Sequence, residues 1–194
     1  MKQNYCAFCS EKLSGEVCDC CGKSITDYHT APHWLLPGTV LAGKYEVGAV
    51  LGEGGFGITY IGRDTNLDMK VAIKEYFPSG VVNRNNTSSM EISALVGDTQ
   101  ANFEKGKQGF LSEARTLAKF SNEQSIVSVR DFFEENNTAY IVMEYLEGID
   151  LKDFIAQNGK MSFGLAISML SPIMSSLSKI HNQGLIHRDI SPAN

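Results

Sequence analysis

The alternation of apolar and polar positions divides the chain into a stretch with strand period and a later stretch with helical period. Lys44-Tyr45-Glu46-Val47-Gly48-Ala49-Val50-Leu51 is rich in branched and aromatic residues, stops at a glycine-rich turn, and resumes as Ile58-Thr59-Tyr60-Ile61. That pattern predicts a hairpin. A further strand is expected at Lys70-Val71-Ala72-Ile73-Lys74, and a buried one over Ala139–Leu146, ending at Glu147-Gly148. Phe103, Phe110, Ala114, Leu117 and Ala118 recur at helical spacing and predict an amphipathic helix over 101–120. Asp150–Gln157 reads as a short helix closed by Asn158-Gly159. Phe163–Asn182 reads as a longer one, stopped by Gly184, in which Pro172 is expected to make a kink or a new start. The connection from Pro78 to Thr99 is longer than usual, and its strand-like pieces at 80–82 and 90–92 suggest an extra hairpin with no assigned role.

Composition narrows the class. The 194 residues allow one ordinary domain plus a small appendage, and 43% hydrophobic with 20% charged residues is ordinary for a folded soluble chain. A formal net charge of -5 disfavours nucleic acid as a partner, because phosphate binding calls for a basic surface. No apolar run is read as reaching the ~18 residues of a membrane span, and Met1-Lys2-Gln3-Asn4-Tyr5 lacks a signal-peptide core. The expectation is a cytoplasmic chain with no membrane segment of its own, with anchoring of a longer parent protein left open.

All five cysteines fall between Cys6 and Cys21. Cys6-x-x-Cys9 and Cys18-x-x-Cys21 form two knuckles able to bring four thiolates around one tetrahedral Zn²⁺, with Gly22 easing the second turn. A segment this short needs such a staple, because it cannot bury enough apolar surface to offset its chain entropy. The odd count and missing secretion signal disfavour disulfides, and no βαβ context supports a redox Cys-x-x-Cys. Cys20 competes with Cys21 for the fourth position, and Cys21 matches the spacing of the first knuckle. No His or carboxylate in the knuckles leaves an open catalytic position, so the ribbon is expected to be structural or to bind a protein partner. The following stretch, with Ser24, Thr26, Asp27, Pro32, Pro37 and Gly38, reads as a linker in which His29 and His33 are solvated.

Three motifs carry chemistry, in this order: Gly52-Glu53-Gly54-Gly55-Phe56-Gly57, Val71-Ala72-Ile73-Lys74, and His187-Arg188-Asp189-Ile190-Ser191-Pro192-Ala193-Asn194. The glycine motif is followed by strand-like residues rather than a helix, which argues against a dinucleotide fold. Gly52, Gly54 and Gly57 would let backbone amides close over phosphate oxygens, and Phe56 could shield the site from water. A lysine in the position of Lys74 needs a carboxylate from the next helix, and Glu113 is the expected core-facing partner.

With these motifs the chain resembles bacterial serine/threonine protein kinases of the eukaryotic type, with an N-terminal zinc ribbon and truncation at the catalytic loop. The resemblance implies an α+β architecture: a zinc ribbon (1–24), a linker (25–40), a kinase-like N-lobe of antiparallel sheet plus one main helix with the hinge (41–147), and the start of a helical C-lobe (148–194). It implies ATP and Mg²⁺ as cofactors beside Zn²⁺, and transfer of the γ-phosphate to Ser/Thr hydroxyls of a protein substrate. Catalytic roles fall to Lys74, Glu113, Asp189 and Asn194, the last as a Mg²⁺ ligand, and Arg188 would answer an activation-loop phosphate. Nucleotide contacts fall to Leu51, Gly52, Gly54, Gly55, Phe56, Gly57, Thr59, Ala72, Lys74, Met143, Glu144 and Leu146. Thr59 stands where many kinases carry valine, and Ser191 where serine/threonine kinases usually carry lysine. No Asp-Phe-Gly or Ala-Pro-Glu occurs in these residues, so the stretch alone is expected to be inactive. The competing readings are a non-catalytic nucleotide-binding or zinc-dependent scaffold, and a nucleic-acid-binding ribbon, which the acidic balance weakens.

Overall fold

The computed structural model describes residues 5–94, 99–123, 125–187 and 189–193. They form two compact units, one of Met1–Ala118 with Val129–Tyr145 and one of Lys119–Ser128 with Leu146–Asn194.

The first unit is built on a six-stranded sheet in the order β1-β2-β3-β4-β8-β7, every neighbouring pair antiparallel. Its strands are β1 (Val40–Leu41), β2 (Tyr45–Gly54), β3 (Gly57–Asp64), β4 (Met69–Tyr76), β7 (Val129–Glu135) and β8 (Thr138–Glu144). The expected hairpin is β2–β3. The extra hairpin of the long connection also forms, as β5 (Val82–Asn83) paired with β6 (Ser93–Ala94). Helix α1 (Thr99–Leu117) packs on β7 and β8. Phe103, Phe110, Leu111 and Ala114 enter the core, with Phe103 and Phe110 both against the Tyr76 ring.

Side-chain alternation gives the sheet two working faces. Lys74 and Glu75 are neighbours in β4 and therefore point to opposite sides. On Glu75's side the carboxylate is fully buried. It accepts hydrogen bonds from the hydroxyls of Tyr60 (2.9 Å) and Tyr140 (2.8 Å) and a bidentate pair from Arg84, which lies just past β5. Arg84 also donates to the His33 carbonyl. Asn86 donates to the carbonyls of Ala31 and Trp34, and Leu35, itself fully buried, donates its amide to Tyr60. Residues 31–35 are thus not a free linker. They form a second layer, held down by the 78–94 segment.

The two cysteine knuckles repeat one another. The Cys6 amide donates to Glu11 and the Cys18 amide to Lys23, while Ser10 and Gly22 donate back to the Cys6 and Cys18 carbonyls. Ser10 and Gly22 occupy the same place in each turn and both have left-handed backbones, at φ 56° and 69°. The cysteine segment docks on the sheet through the Ala7 carbonyl, which accepts from the Ala49 amide at 2.7 Å. The Ser10 hydroxyl donates to Gly62 O, Arg63 donates to Ser10 O, and Glu11 pairs with Lys70 at 2.9 Å, which holds the Glu11 carboxyl below its usual range. The close approach of Ala7 explains Gly48, where a Cβ would lie 2.6 Å from the Ala7 oxygen and 2.8 Å from Ile61 Cγ2. Gly48→Ala is therefore expected to cost about 1–3 kcal/mol of stability through overpacking, read as a lower urea midpoint.

The second unit holds α2 (Leu151–Asn158) and α3 (Phe163–His181). Asp150 caps α2 by accepting from the Asp153 amide, and Ser162 caps α3 by accepting from Leu165. No new segment starts at Pro172, and α3 runs through it as one helix. The Ser171 hydroxyl bonds back to the Ile167 carbonyl in the turn where proline supplies no donor. By length and composition alone α3, 19 residues with a mean hydropathy of 1.3, meets the measure of a membrane span, a test that the core helix of a soluble domain also passes. The apolar run was masked in the sequence by serines spread through it and by Lys179, which pairs with Glu123 at 2.7 Å.

Candidate active site and cysteine cluster

On Lys74's side of the sheet, strand register assembles the expected residues in rows. Gly52 of β2 pairs with Thr59 of β3, Thr59 with Lys74 of β4, and Lys74 with Ile141 of β8. One pleat along, Ala72 pairs with Met143, and Glu144 pairs with Val71 at the end of β8. The motif glycines differ in what they are for. At Gly57 a Cβ would meet the Glu75 carbonyl at 2.3 Å, so the neighbouring backbone excludes any side chain. At Gly52, Gly54 and Gly55 a Cβ would meet nothing within 4 Å. Packing within the protein thus does not account for these three, and their bare backbone faces open space. Leu51 and Phe56 are exposed beside them, Phe56 at 79%.

Lys74 Nζ lies 5.9 Å from the centroid of the Phe110 ring, and among the described residues it has no ion-pair partner. Glu113, expected to face the core and hold it, is exposed instead. The reason is angular. Phe103, Lys107, Phe110, Leu111 and Ala114 define the buried arc of α1, and at 100° per residue Glu113 lies about 100° from its centre. Phe110 and Leu117, which suggested the inward placement, lie toward one edge of that arc. The buried ionic group on the helix is Lys107, paired with Glu104 and Glu134, each at 3.0 Å.

In the second unit, Leu146, His187 and Asp189 are exposed, and the Pro192 carbonyl accepts from the Lys152 amide at 2.7 Å. Asp189 and Pro192 thus belong to a loop tied to the start of α2. Arg188 and Asn194 lie outside the described residues.

The four sulfurs of Cys6, Cys9, Cys18 and Cys21 lie within 4.8 Å of one another, with Cys6–Cys21 and Cys9–Cys18 each at 3.6 Å. A disulfide would bring two sulfurs to about 2.05 Å, whereas thiolates at ~2.3 Å from one tetrahedral ion sit about 3.8 Å apart. The cluster has the spacing of a metal cage. Amides of Cys21 and then Cys20 lower the Cys18 thiol to about 7, whereas burial pushes the Cys6 and Cys9 thiols up, so of these three only Cys18 leans toward the thiolate a metal requires. Cys20 itself is exposed and outside the cluster.

Sequence reasoning missed the contacts that N-terminal residues make with β2. The Trp34 indole donates to Glu53 Oε2 at 2.8 Å, and His33 Nε2 lies 2.9 Å from Glu53 Oε1. Burial works against the Glu53 charge, but the bonds from Trp34 and His33 outweigh it and hold the carboxyl below its usual range. The Tyr28 hydroxyl accepts from the Val50 amide at 3.2 Å. The sequence signal was the apolar run Trp34-Leu35-Leu36 within a polar stretch.

A family profile described as "Protein kinase domain" matches residues 45–194. Serine/threonine-protein kinase B of Synechocystis is 31% identical over 181 residues, which cover 92% of this chain and 26% of that protein. Serine/threonine-protein kinase PrkC of Bacillus subtilis is 31% identical over 160 residues, covering 82% of this chain and 22% of that protein. The chain thus spans about a quarter of the length of these curated relatives. Among solved structures, the PpkA-294 apo form superposes with a TM-score of 0.73 at 36% identity, covering 84% of this chain and 57% of that one. The PknI kinase domain of Mycobacterium tuberculosis, at 23% identity and a TM-score of 0.61, covering 83% of this chain and 56% of that one, shows the same fold.

Proposed function

The chain belongs to the protein kinase domain family, and from that premise we propose that it binds ATP with Mg²⁺ as part of a protein kinase that phosphorylates Ser/Thr hydroxyls of protein substrates. The observation that carries this reading is the register row Gly52–Thr59–Lys74, beside Ala72–Met143, under three glycines whose missing side chains leave open space. Backbone around Gly52, Gly54, Gly55 and Gly57 would receive the phosphates, with Leu51, Phe56 and Thr59 enclosing the nucleotide. Lys74 would engage the α- and β-phosphates. The adenine edge would meet the backbone of Glu144 and Leu146, with Met143 behind it.

Asp189 would orient the acceptor hydroxyl, and Asn194 would take a Mg²⁺ position. Mg²⁺ supplies neutralisation of the charge that develops on the transferred phosphoryl group. An Asp-Phe-Gly aspartate, which normally adds a second magnesium ligand, does not occur in these 194 residues. We therefore expect nucleotide binding but no phosphoryl transfer from this stretch alone. Glu113 becomes a partner of Lys74 only if α1 turns its exposed edge inward. That Lys74 has no ion-pair partner among the described residues favours the alternative of a nucleotide-binding scaffold.

Zn²⁺ in the four-cysteine cage completes the proposal, with the ribbon held against the sheet and a cytoplasmic setting that keeps its thiols reduced. Because the kinase-domain match runs through α3, that helix is read as a domain helix rather than a membrane span, although Leu165, Ile167, Leu170 and Ile173 are exposed in this structure.

Calorimetric titration of this chain with Mg·ATP tests the nucleotide site. Lys74→Met is expected to weaken binding about 10- to 100-fold, the worth of a charge-assisted contact. Equal affinity for both proteins would remove Lys74 from the site, and no binding by the unmodified chain at millimolar nucleotide would sink the reading.

A further inference from the structure

The outer edge of β2, the strand that carries the glycine motif, is occupied along its length by residues that precede the kinase-domain match. Leu41 and Val40 pair with Tyr45 and Glu46, Thr39 O accepts from the Val47 amide, and Gly38 donates to Val47 O. Beyond Val47 the register of β2 against β3 is broken twice, between Val47 and Val50 and between Val50 and Gly52. Such irregularities turn strand amides away from the ladder and would leave them unpaired. Here each finds an acceptor from the N-terminal segment: Ala49 N donates to Ala7 O of the ribbon, and Val50 N donates to the Tyr28 hydroxyl. At the motif itself, Trp34 and His33 hold both oxygens of Glu53, the residue between Gly52 and Gly54.

We infer that Tyr28 and Trp34 are positioning residues for the nucleotide: with the Ala7 carbonyl they fix the glycine-rich hairpin in the shape that receives phosphate. The inference rests on the nucleotide reading given above and adds to it the residues that make the hairpin rigid. Gly52, Gly54 and Gly55 have no side chains to pack, so backbone alone restrains them: Gly52 and Gly54 pair with Thr59 and Gly57, and the Gly55 carbonyl accepts from the Ser79 amide. A glycine-rich segment has many backbone states to lose on binding, and a loop already ordered loses fewer. Further restraint comes from the strand's outer edge, through groups outside the proposed nucleotide contacts. Trp34 is itself fixed, since Asn86 caps its carbonyl and its neighbour Leu35 is fully buried.

The test uses the 194-residue chain with Mg·ATP titration and amide hydrogen exchange. Trp34→Phe keeps the aromatic packing and removes the indole N–H that reaches Glu53 Oε2. It is expected to weaken Mg·ATP binding about three- to tenfold, less than the full worth of a hydrogen bond to a charged group because Trp34 acts through the hairpin, and to speed exchange over 50–56. Tyr28→Phe should do the same, with the change starting at Val50. Glu53→Ala approaches the clamp from the other side, so that Trp34→Phe in the Glu53→Ala background should have no further effect on nucleotide affinity. A purely structural role would lower the melting temperature of Trp34→Phe while leaving nucleotide affinity and exchange over 50–56 of the folded protein unchanged, and that result overturns the inference. Tighter binding by the variants would overturn it as well, because the clamp would then oppose the nucleotide. If the unmodified chain binds no nucleotide, the underlying nucleotide reading fails first, which the wild-type titration shows separately.

Discussion

Arg84→Met is expected to destabilise the sheet-bearing unit by about 3–5 kcal/mol, more than any change at the proposed nucleotide site, because it strands a charge. Glu75 is fully buried, and its two oxygens are shared among Arg84, Tyr60 and Tyr140. The phenols supply hydrogen bonds but no compensating charge. Burial pushes both of them well above their usual range, so they stay neutral donors. With the guanidinium gone, the carboxylate must either remain ionised in an apolar layer or take up a proton at a cost. Arg84 also fixes the His33 carbonyl, so the second layer over 31–35 loosens in the same step. The double variant Glu75→Gln/Arg84→Met removes both charges and should be less damaged than Arg84→Met alone. Urea unfolding of the two variants measures this, and a double variant that is the weaker of the two would show that the pair is not coupled in this way.

The position of Arg84 shows what the sequence could and could not disclose. Lys74 was legible because it stands in a motif, and its neighbour's opposite orientation follows from strand alternation. That Glu75 would be buried was not legible, since its partner lies in a connection whose local pattern shows only a weak hairpin. Strand β7 was missed altogether. Val129-Arg130-Asp131-Phe132-Phe133-Glu134-Glu135 does not alternate, because a register break between Val129 and Asp131 shifts the phase. Asp131 then turns to accept from Tyr45 and to pair with Lys44, so a charged residue sits among apolar ones. The 25–40 stretch read as linker because proline, glycine and polar residues describe its local conformation correctly. What holds Leu35 in place is Tyr60, 25 positions away, and a local pattern carries no information about such a distance. Glu113 is the instructive failure at the site. The motif identifies the residue, but the rotation of α1 is set by Phe103, Lys107 and Phe110 against the sheet, and these leave Glu113 at the edge.

The cysteine cage offers the second large effect, and it reaches beyond the ribbon. Cys18→Ser is expected to reduce bound zinc from one equivalent to near zero, because a serine hydroxyl stays protonated at neutral pH and cannot replace a buried thiolate. Cys20→Ser should leave the metal content unchanged, since Cys20 is exposed and lies outside the cluster. Elemental analysis of the purified variants decides between them, and zinc lost from Cys20→Ser but kept in Cys21→Ser would reverse the ligand assignment. Metal binding of such sites contributes on the order of 10 kcal/mol to the folding of short segments, so the two knuckles should lose amide protection once the ion is gone. The sheet should not unfold with them, because its core of Tyr60, Ile73, Tyr140 and Val142 is closed by Leu35 and α1 rather than by the ribbon. The point of transmission is Ala7, which lies between Cys6 and Cys9 and whose carbonyl holds the Ala49 amide in β2. Faster exchange at Ala49, with Ile73 and Val142 still protected, is the expected signature. Protection at Ala49 that survives zinc loss would mean that the ribbon holds its place on β2 without the metal.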